Sequence, residues 1–101
     1  MTENTRKGLD AVVLSPLDEL ATALRNLKTG ERVRFNIADE NHELTMSTDV
    51  ALCHKFSIRD IDEGESVRKY GEVIGAATAP IPVGAHVHVH NLKSLRAASD
   101  S

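Results

Sequence analysis

Polar and apolar residues alternate along much of the chain after residue 30, and this two-residue period predicts β-strands that are buried on one face. The clearest example is 32–37, Arg-Val-Arg-Phe-Asn-Ile, and 86–90 alternates equally well. Shorter runs predict further strands at 43–46, 55–58, 66–68 and 73–74, and the apolar run 11–14 is typical of a buried strand. Glycine and proline lie between these runs and favour tight corners. The pattern predicts a mainly β protein.

One segment follows a helical period instead. Its apolar residues recur at i, i+3, i+4 and i+7, as on one face of a helix: Leu17, Leu20, Ala21 and Leu24. Ser15 is a good N-cap, Pro16 suits the first helical position, and Asp18 favours the positive end of the helix dipole. Gly30 supplies a C-terminal stop. These signals predict one short helix.

A short motif occurs three times in the chain. Segments 27–33, 61–67 and 81–87 all read apolar-x-x-Gly-x-x-Val. Each predicts a turn whose glycine adopts a positive φ, followed by a strand. Because the spacing is uneven, the motif indicates a recurring turn rather than a solenoid repeat.

The length of 101 residues is in the range of one domain. We assign it to 11–94 and expect the polar ends, 1–10 and 95–101, to be flexible. Only three residues are aromatic, so small aliphatic side chains must fill the core.

Charge and cysteine content narrow the classes of function. The net charge is −3 with both signs interspersed, which argues against nucleic-acid binding. Cys53 is the only cysteine, which excludes an intramolecular disulfide and fits a reducing compartment; we expect it to be buried and inert. No apolar run is long enough for a signal peptide or a membrane span, so a cytoplasmic location is expected.

Three of the five histidines lie in the alternating run, at His86, His88 and His90, and Asn91 follows them. In a strand their imidazoles would project from one face, close enough for two of them to share a divalent metal or to flank a substrate. Imidazoles titrate near neutral pH, so this face could also move protons. The alternative is that these are solvated residues on an exposed strand.

Two further groups are candidates. His54 stands beside Lys55, although an isolated pair of this kind also suits an ordinary surface. Lys69 and Tyr70 combine a cation and a phenol beside Gly71. The alternative for this second group is a hairpin corner with the tyrosine packed across it.

From His54 onward the chain resembles a known family. The residues that carry the resemblance are 54–61, 64–65, 67, 69–75 and 87–92, and 21–27 with Gly30 is similar to that family's opening segment. The match extends over about residues 11–92 and resembles the SAF domain of altronate and galactarate dehydratases. The same module occurs as the small subunit of two-chain members such as sulfolactate sulfo-lyase.

The resemblance implies a β-clip fold and β-elimination from a hydroxy acid, with a divalent metal, Fe²⁺ in this family, as Lewis acid. Residues implied as catalytic are His88, His90 and His54. Residues implied as substrate-binding are Lys55, Lys69, Tyr70 and Asn91. Implied metal ligands are His88 and His90, to which the strand pattern adds His86.

The full dehydratases carry several hundred further residues, so the resemblance also implies a separate large catalytic subunit. One small sheet offers no deep, water-excluding pocket, and we expect this chain alone to be an inactive part of a lyase. Two alternatives stay open: a sulfolactate sulfo-lyase small subunit, and a non-catalytic sugar-acid-binding or assembly module. The sequence leaves the hydroxy acid, the leaving group and self-association undecided.

Overall fold

The computed structural model describes residues 9–94, which form nine short β-strands. The strands are β1 (Ala11–Val12), β2 (Leu20–Ala23), β3 (Arg32–Ile37), β4 (Glu40–Thr45), β5 (Lys55–Ser57), β6 (Ser66–Lys69), β7 (Glu72–Ala77), β8 (His86–Val87) and β9 (Leu92–Ser94). In this part of the chain no helix is present, and therefore none that could span a membrane. Of the ends predicted to be flexible, 1–8 and 95–101 lie outside the described residues.

The strands form three antiparallel sheets. Their orders are β1-β2-β5-β8, β9-β7-β6 and β3-β4. Two hairpins, β3–β4 and β6–β7, contain the three six-residue strands of the domain. The core has two clusters: one contains Phe35 and Phe56, and the other contains Leu20, Ile61 and Ile81. Short antiparallel strands in small sheets agree with the β-clip fold that the resemblance implies, and both phenylalanines lie in the core among aliphatic side chains.

All three apolar-x-x-Gly-x-x-Val segments form the turn predicted for them. Gly30, Gly64 and Gly84 have φ values of 85°, 86° and 80°. In each turn the N–H after the glycine donates to the carbonyl three residues earlier, at distances of 3.0, 3.0 and 3.1 Å. The first residues of the segments also form isolated β-bridges, Leu27 with Val50 and Ile61 with Ile81. Three equivalent turns therefore organise the domain.

The predicted short helix is wrong, because its central residues form strand β2. Ala23 pairs with Ala11 of β1 on one side, and Leu20 pairs with Ser57 of β5 on the other. Leu20, Ala21 and Ala23 are all buried, so this strand is covered on both faces and shows no polar alternation. Leu17 and Leu24, which belong to the predicted helical face, are instead 62% and 50% exposed. Pairing with two neighbouring strands outweighs the local helix signals.

The residues read as a helix start stabilise a hairpin corner. The Asp18 N–H donates to the Ser15 carbonyl in a turn (3.0 Å). The buried Asp18 carboxylate accepts the N–H groups of Tyr70 (2.9 Å) and Gly71 (2.8 Å), which form the two-residue loop between β6 and β7. Both loop residues have positive φ, 56° and 79°, as a type I′ turn requires. The structure thus confirms that Lys69, Tyr70 and Gly71 lie at a hairpin corner.

Candidate functional site: a face of four histidines

Strand pairing brings His54 next to the C-terminal histidines. β5 begins directly after His54 and pairs with β8, with Lys55 opposite Val87 and Phe56 opposite His86. The predicted strand over 86–90 is correct only for its first two residues, because β8 ends at Val87 and residues 88–91 form a turn. The histidines are therefore gathered by a strand and a turn together.

Asn91 closes this turn with both ends of its side-chain amide. Its Oδ1 accepts the His88 N–H (3.0 Å), and its Nδ2 donates to the His86 carbonyl (2.9 Å). Its own N–H donates to the His88 carbonyl (3.0 Å). These three bonds fold the chain back so that the His90 ring lies 5.5 Å from the His86 ring between centroids. Asn91 thus positions the imidazoles, and its part in substrate binding stays a prediction.

The four side chains form one cluster, which we call the histidine face: His54, His86, His88 and His90. Ring centroids are 5.2 Å apart for His54 and His86, 6.1 Å for His54 and His88, and 5.6 Å for His86 and His88. His54 Nδ1 and His86 Nε2 are 3.1 Å apart, within hydrogen-bonding distance. Since one nitrogen must carry the proton and the other must lack it, this pair can both accept and release a proton.

His86, the member that the strand pattern alone added, is the centre of the cluster, with ring contacts to the other three histidines. Its backbone N–H donates to Thr48 Oγ1 (2.9 Å), a supporting contact that nothing in the sequence indicated. The pKa of His86 lies below its usual range, first because burial disfavours the charged ring and then because His54, His90 and His88 repel a further positive charge. The lowered pKa favours the neutral imidazole of His86, which is the form that accepts protons.

This lowered pKa makes stability depend on pH. Folding depresses the pKa of His86, so the unfolded chain binds more protons than the folded chain as pH falls through the unfolded value of about 6.5. We expect the urea midpoint, measured with EDTA present, to fall as the pH is lowered through that value. His86→Gln should flatten this dependence; an unchanged slope in that variant would contradict the pKa assignment.

A small open cavity adjoins the histidine face. Its volume is about 160 Å³, and it is lined by Cys53, His54, Lys55, Val87 and His88. Pockets that enclose drug-sized ligands are roughly 300–1,000 Å³, so the described residues supply at most one side of such an enclosure here. Two larger depressions lie elsewhere, and His42 is the one histidine in their lining. The one of about 330 Å³ lies along the β3–β4 hairpin, and the one of about 470 Å³ lies between that hairpin and residues 16–19, 58–59 and 68. The cavity beside the histidine face is the smallest of these three.

Cys53 is exposed, so the prediction of a buried thiol is wrong. It lies in a turn with φ 74°, closed by a 3.0 Å hydrogen bond from the His54 N–H to the Ala51 carbonyl. The position between Leu52 and His54 suggested burial, but Leu52 is itself 52% exposed. The turn directs this short segment outward.

Lys69 and Tyr70 lie away from the histidine face. Strand β2 separates the two places: the Glu19 N–H, just before β2, bonds the Arg68 carbonyl, and the Ala23 N–H, at its end, bonds the His54 carbonyl. A four-residue strand spans about 10–13 Å. The structure therefore brings His54, Lys55 and the C-terminal histidines together and leaves the Lys69–Tyr70 corner at the opposite end of β2.

The histidine face does not form a complete metal site. Within residues 9–94, no group of three or more histidine, cysteine, aspartate or glutamate side chains is arranged to hold a metal ion. The nearest approach is the His54–His86 pair, whose two nitrogens are in contact with each other. A catalytic iron commonly takes at least three protein ligands. The described residues alone therefore do not fit the Fe²⁺ implied by the resemblance.

The antiparallel strands, two hairpins and three equivalent turns define a small β-clip domain that presents clustered imidazoles on an open face. Residues 9–95 match the family model of the altronate/galactarate dehydratase SAF domain. The chain belongs to this family.

Relatives fall into two groups by length. The chain is 41% identical to altronate dehydratase of Escherichia coli (strain K12) over 83 residues, which are 82% of this chain and 16% of that enzyme. It is 32% identical to the (2R)-sulfolactate sulfo-lyase subunit alpha of Chromohalobacter salexigens over 92 residues, 88% of this chain and 98% of that subunit. The chain thus spans about a sixth of the altronate dehydratase and nearly all of the alpha subunit.

Proposed function

We propose that this chain is the small subunit of a sugar-acid dehydratase of the altronate/galactarate type, acting by β-elimination with a separate large subunit. The observation that carries the proposal is the open histidine face, in which His54 and His86 are in hydrogen-bonding contact beside a small open cavity. Relatives whose names assign them to lyases support the reaction class. The single cysteine supports a cytoplasmic location.

The chemistry needs a base and an acid in turn. A neutral imidazole takes the proton from the carbon next to the substrate carboxylate, which leaves an enediolate. The bond between the neighbouring carbon and its hydroxyl then breaks, and the hydroxyl departs with its electron pair and a proton from an imidazolium as water. The resulting enol becomes a 2-oxo acid. The lowered pKa of His86 suits the first step, and its contact with His54 offers a route for the proton.

Lys55 and His88 line the cavity and are the residues that we propose to meet the substrate. The ammonium of Lys55 would pair with the substrate carboxylate and make loss of the neighbouring proton easier. The Fe²⁺ implied by the resemblance would need ligands from the large subunit, where it would act as a Lewis acid, and no step assigned to this chain passes through it.

A second candidate is the alpha subunit of a sulfolactate sulfo-lyase, in which sulfite leaves instead of hydroxide. The observation that favours it is length, since the similarity covers 98% of one such subunit. The same base would serve both reactions, because both begin with loss of the proton beside a carboxylate. The leaving group therefore distinguishes the candidates, and the histidine face does not.

Reconstitution tests the function directly. We expect the full chain alone to be inactive and the chain with its large subunit to convert one acid in a panel of altronate, galactarate and sulfolactate. The large subunit can be sought in the gene beside this one, and 2-oxo acid and sulfite can be measured separately. Turnover by the large subunit alone at the full rate would instead favour the assembly or binding module and overturn the proposal.

A further inference from the structure

The ammonium of Lys69 is buried without a hydrogen-bond partner. Lys69 is 2% exposed, and its Nζ is one of two buried side-chain polar atoms within residues 9–94 that lack such a partner. Lysine is rarely buried unless it is paired, because an unpaired charge loses its hydration and gains nothing in return. The packing of the core therefore does not explain why a lysine is buried at position 69.

Tyr70 covers this ammonium. The Lys69 Nζ lies 3.7 Å from the centroid of the Tyr70 ring, which is a cation–π contact. This contact replaces only part of the hydration of an ammonium, which has three N–H donors and would bond an anion more strongly. The ring is 62% exposed, so solvent lies on one side of it and the charge on the other.

The backbone at Tyr70 is held in an unfavourable conformation. Its φ of 56° belongs to the left-handed region, which glycine, asparagine and aspartate favour and bulky residues avoid. The Asp18 carboxylate fixes it by accepting the N–H groups of both loop residues. That carboxylate forms no ion pair with Lys69 among the described residues, although it lies at the same corner. The Asp18 carboxylate thus bonds the backbone of the corner, while the ring of Tyr70 lies over the charge of Lys69.

We propose that the Lys69–Tyr70 corner is a carboxylate-binding site that the tyrosine ring covers when no carboxylate is present. A carboxylate displaces the ring, which turns outward about its own side-chain bonds, and accepts hydrogen bonds from the ammonium. Its source is either a free hydroxy acid or an aspartate or glutamate side chain of another protein. The site is separate from the histidine face, at the other end of β2, and does not depend on the lyase activity.

Tyr70 itself reports on the site, because it is the only tyrosine and the chain has no tryptophan. Acetate, added to the full chain at constant ionic strength by replacing chloride, should change the tyrosine fluorescence until the site is saturated. The ring should shift the ε-methylene protons of Lys69 upfield in NMR spectra without acetate, and acetate should return them toward the position of the exposed lysines. An absence of both changes would overturn the proposal.

Two variants separate binding from general effects of acetate. Lys69→Met should abolish the saturable change and raise the midpoint of thermal unfolding in acetate-free buffer, because it replaces an unpaired buried charge by an apolar chain of similar length. Lys28→Met, at an exposed lysine in a different turn, should respond like the original chain. A lowered midpoint in Lys69→Met would show that the tyrosine alone satisfies the ammonium and would refute the site.

The source of the carboxylate is decided by comparing two probes. Tighter binding of galactarate than of N-acetyl-aspartate amide would assign the site to a free acid, and equal or weaker binding of galactarate would assign it to a protein side chain. Failure of the reconstituted pair on every acid would refute the proposed function and leave these titrations intact. The two proposals therefore fail independently.

Discussion

Replacing His86 or His54 with glutamine is expected to lower kcat of the reconstituted lyase by about 10²–10⁴-fold, the usual contribution of a positioned acid or base. The two rings are in hydrogen-bonding contact, so either change removes the shared proton position. Glutamine keeps polarity and approximate size but does not titrate. If the rings act as one unit, the double variant should be scarcely slower than either single variant. Steady-state rates of 2-oxo acid formation measure this.

His42 provides the matched control for this experiment. It is a histidine of the same chain, but it lies in β4 and stacks on Phe35 at 5.6 Å between ring centroids, away from the histidine face. His42→Gln should leave kcat unchanged. Two further variants, His88→Ala and His90→Ala, test the histidines that lie in the turn. Full activity in both of these variants and in His86→Gln would show that the histidine face is structural.

Replacing Gly84 with alanine is expected to destabilise the domain by at least about 3 kcal/mol. A β-carbon at this position would lie 2.5 Å from the Thr45 carbonyl oxygen, 2.9 Å from the Ser47 nitrogen and 3.0 Å from the Met46 α-carbon. All three are backbone atoms, so no side chain can move aside. The positive φ of 80° adds its own penalty of about 1–2 kcal/mol. Against a total stability of about 5–15 kcal/mol this loss is large, and urea unfolding measures it.

Gly64 isolates the conformational part of this effect, so the difference between the two alanine variants measures the steric part. Its φ of 86° is similar to that of Gly84, but no atom lies within 4 Å of the position of its β-carbon. Gly64→Ala should therefore lose only the conformational part, about 1–2 kcal/mol. Equal losses in the two alanine variants would mean that the contacts around Gly84 relax without penalty. Since Gly84 precedes His86 by two residues, its variant should also reduce activity in the reconstituted enzyme.

Several parts of the fold could be predicted because their causes are local. Strand β3 has the bounds that alternation predicts, 32–37, since its side chains must point to opposite faces in turn. The three glycine turns were also predicted correctly, because a positive φ at one residue decides them and glycine accepts it most readily. The helix prediction failed over Leu20–Ala23, because small apolar residues satisfy a helix face and a doubly buried strand equally well.

The candidate site was predictable only in part, because local patterns do not show which distant segments pair. His86, His88 and His90 do lie together, but alternation predicts a continuous strand, whereas the strand ends at Val87 and a turn closed by Asn91 gathers the other two. The part played by His54 depends on the pairing of β5 with β8, whose residues are separated by about thirty positions of sequence. No local pattern carries that information.

The sequence by itself determined that the chain folds as a mainly β domain with three glycine turns, and it named the histidines. Turn geometry and side-chain alternation are properties of a few neighbouring residues, so the order of residues fixes them. Only the tertiary structure decided that Leu20–Ala23 is a strand, that His54 meets His86, and that Lys69 is buried beneath Tyr70. Each of these depends on which distant segments pair, and that choice is made by the burial and hydrogen bonding of the whole domain.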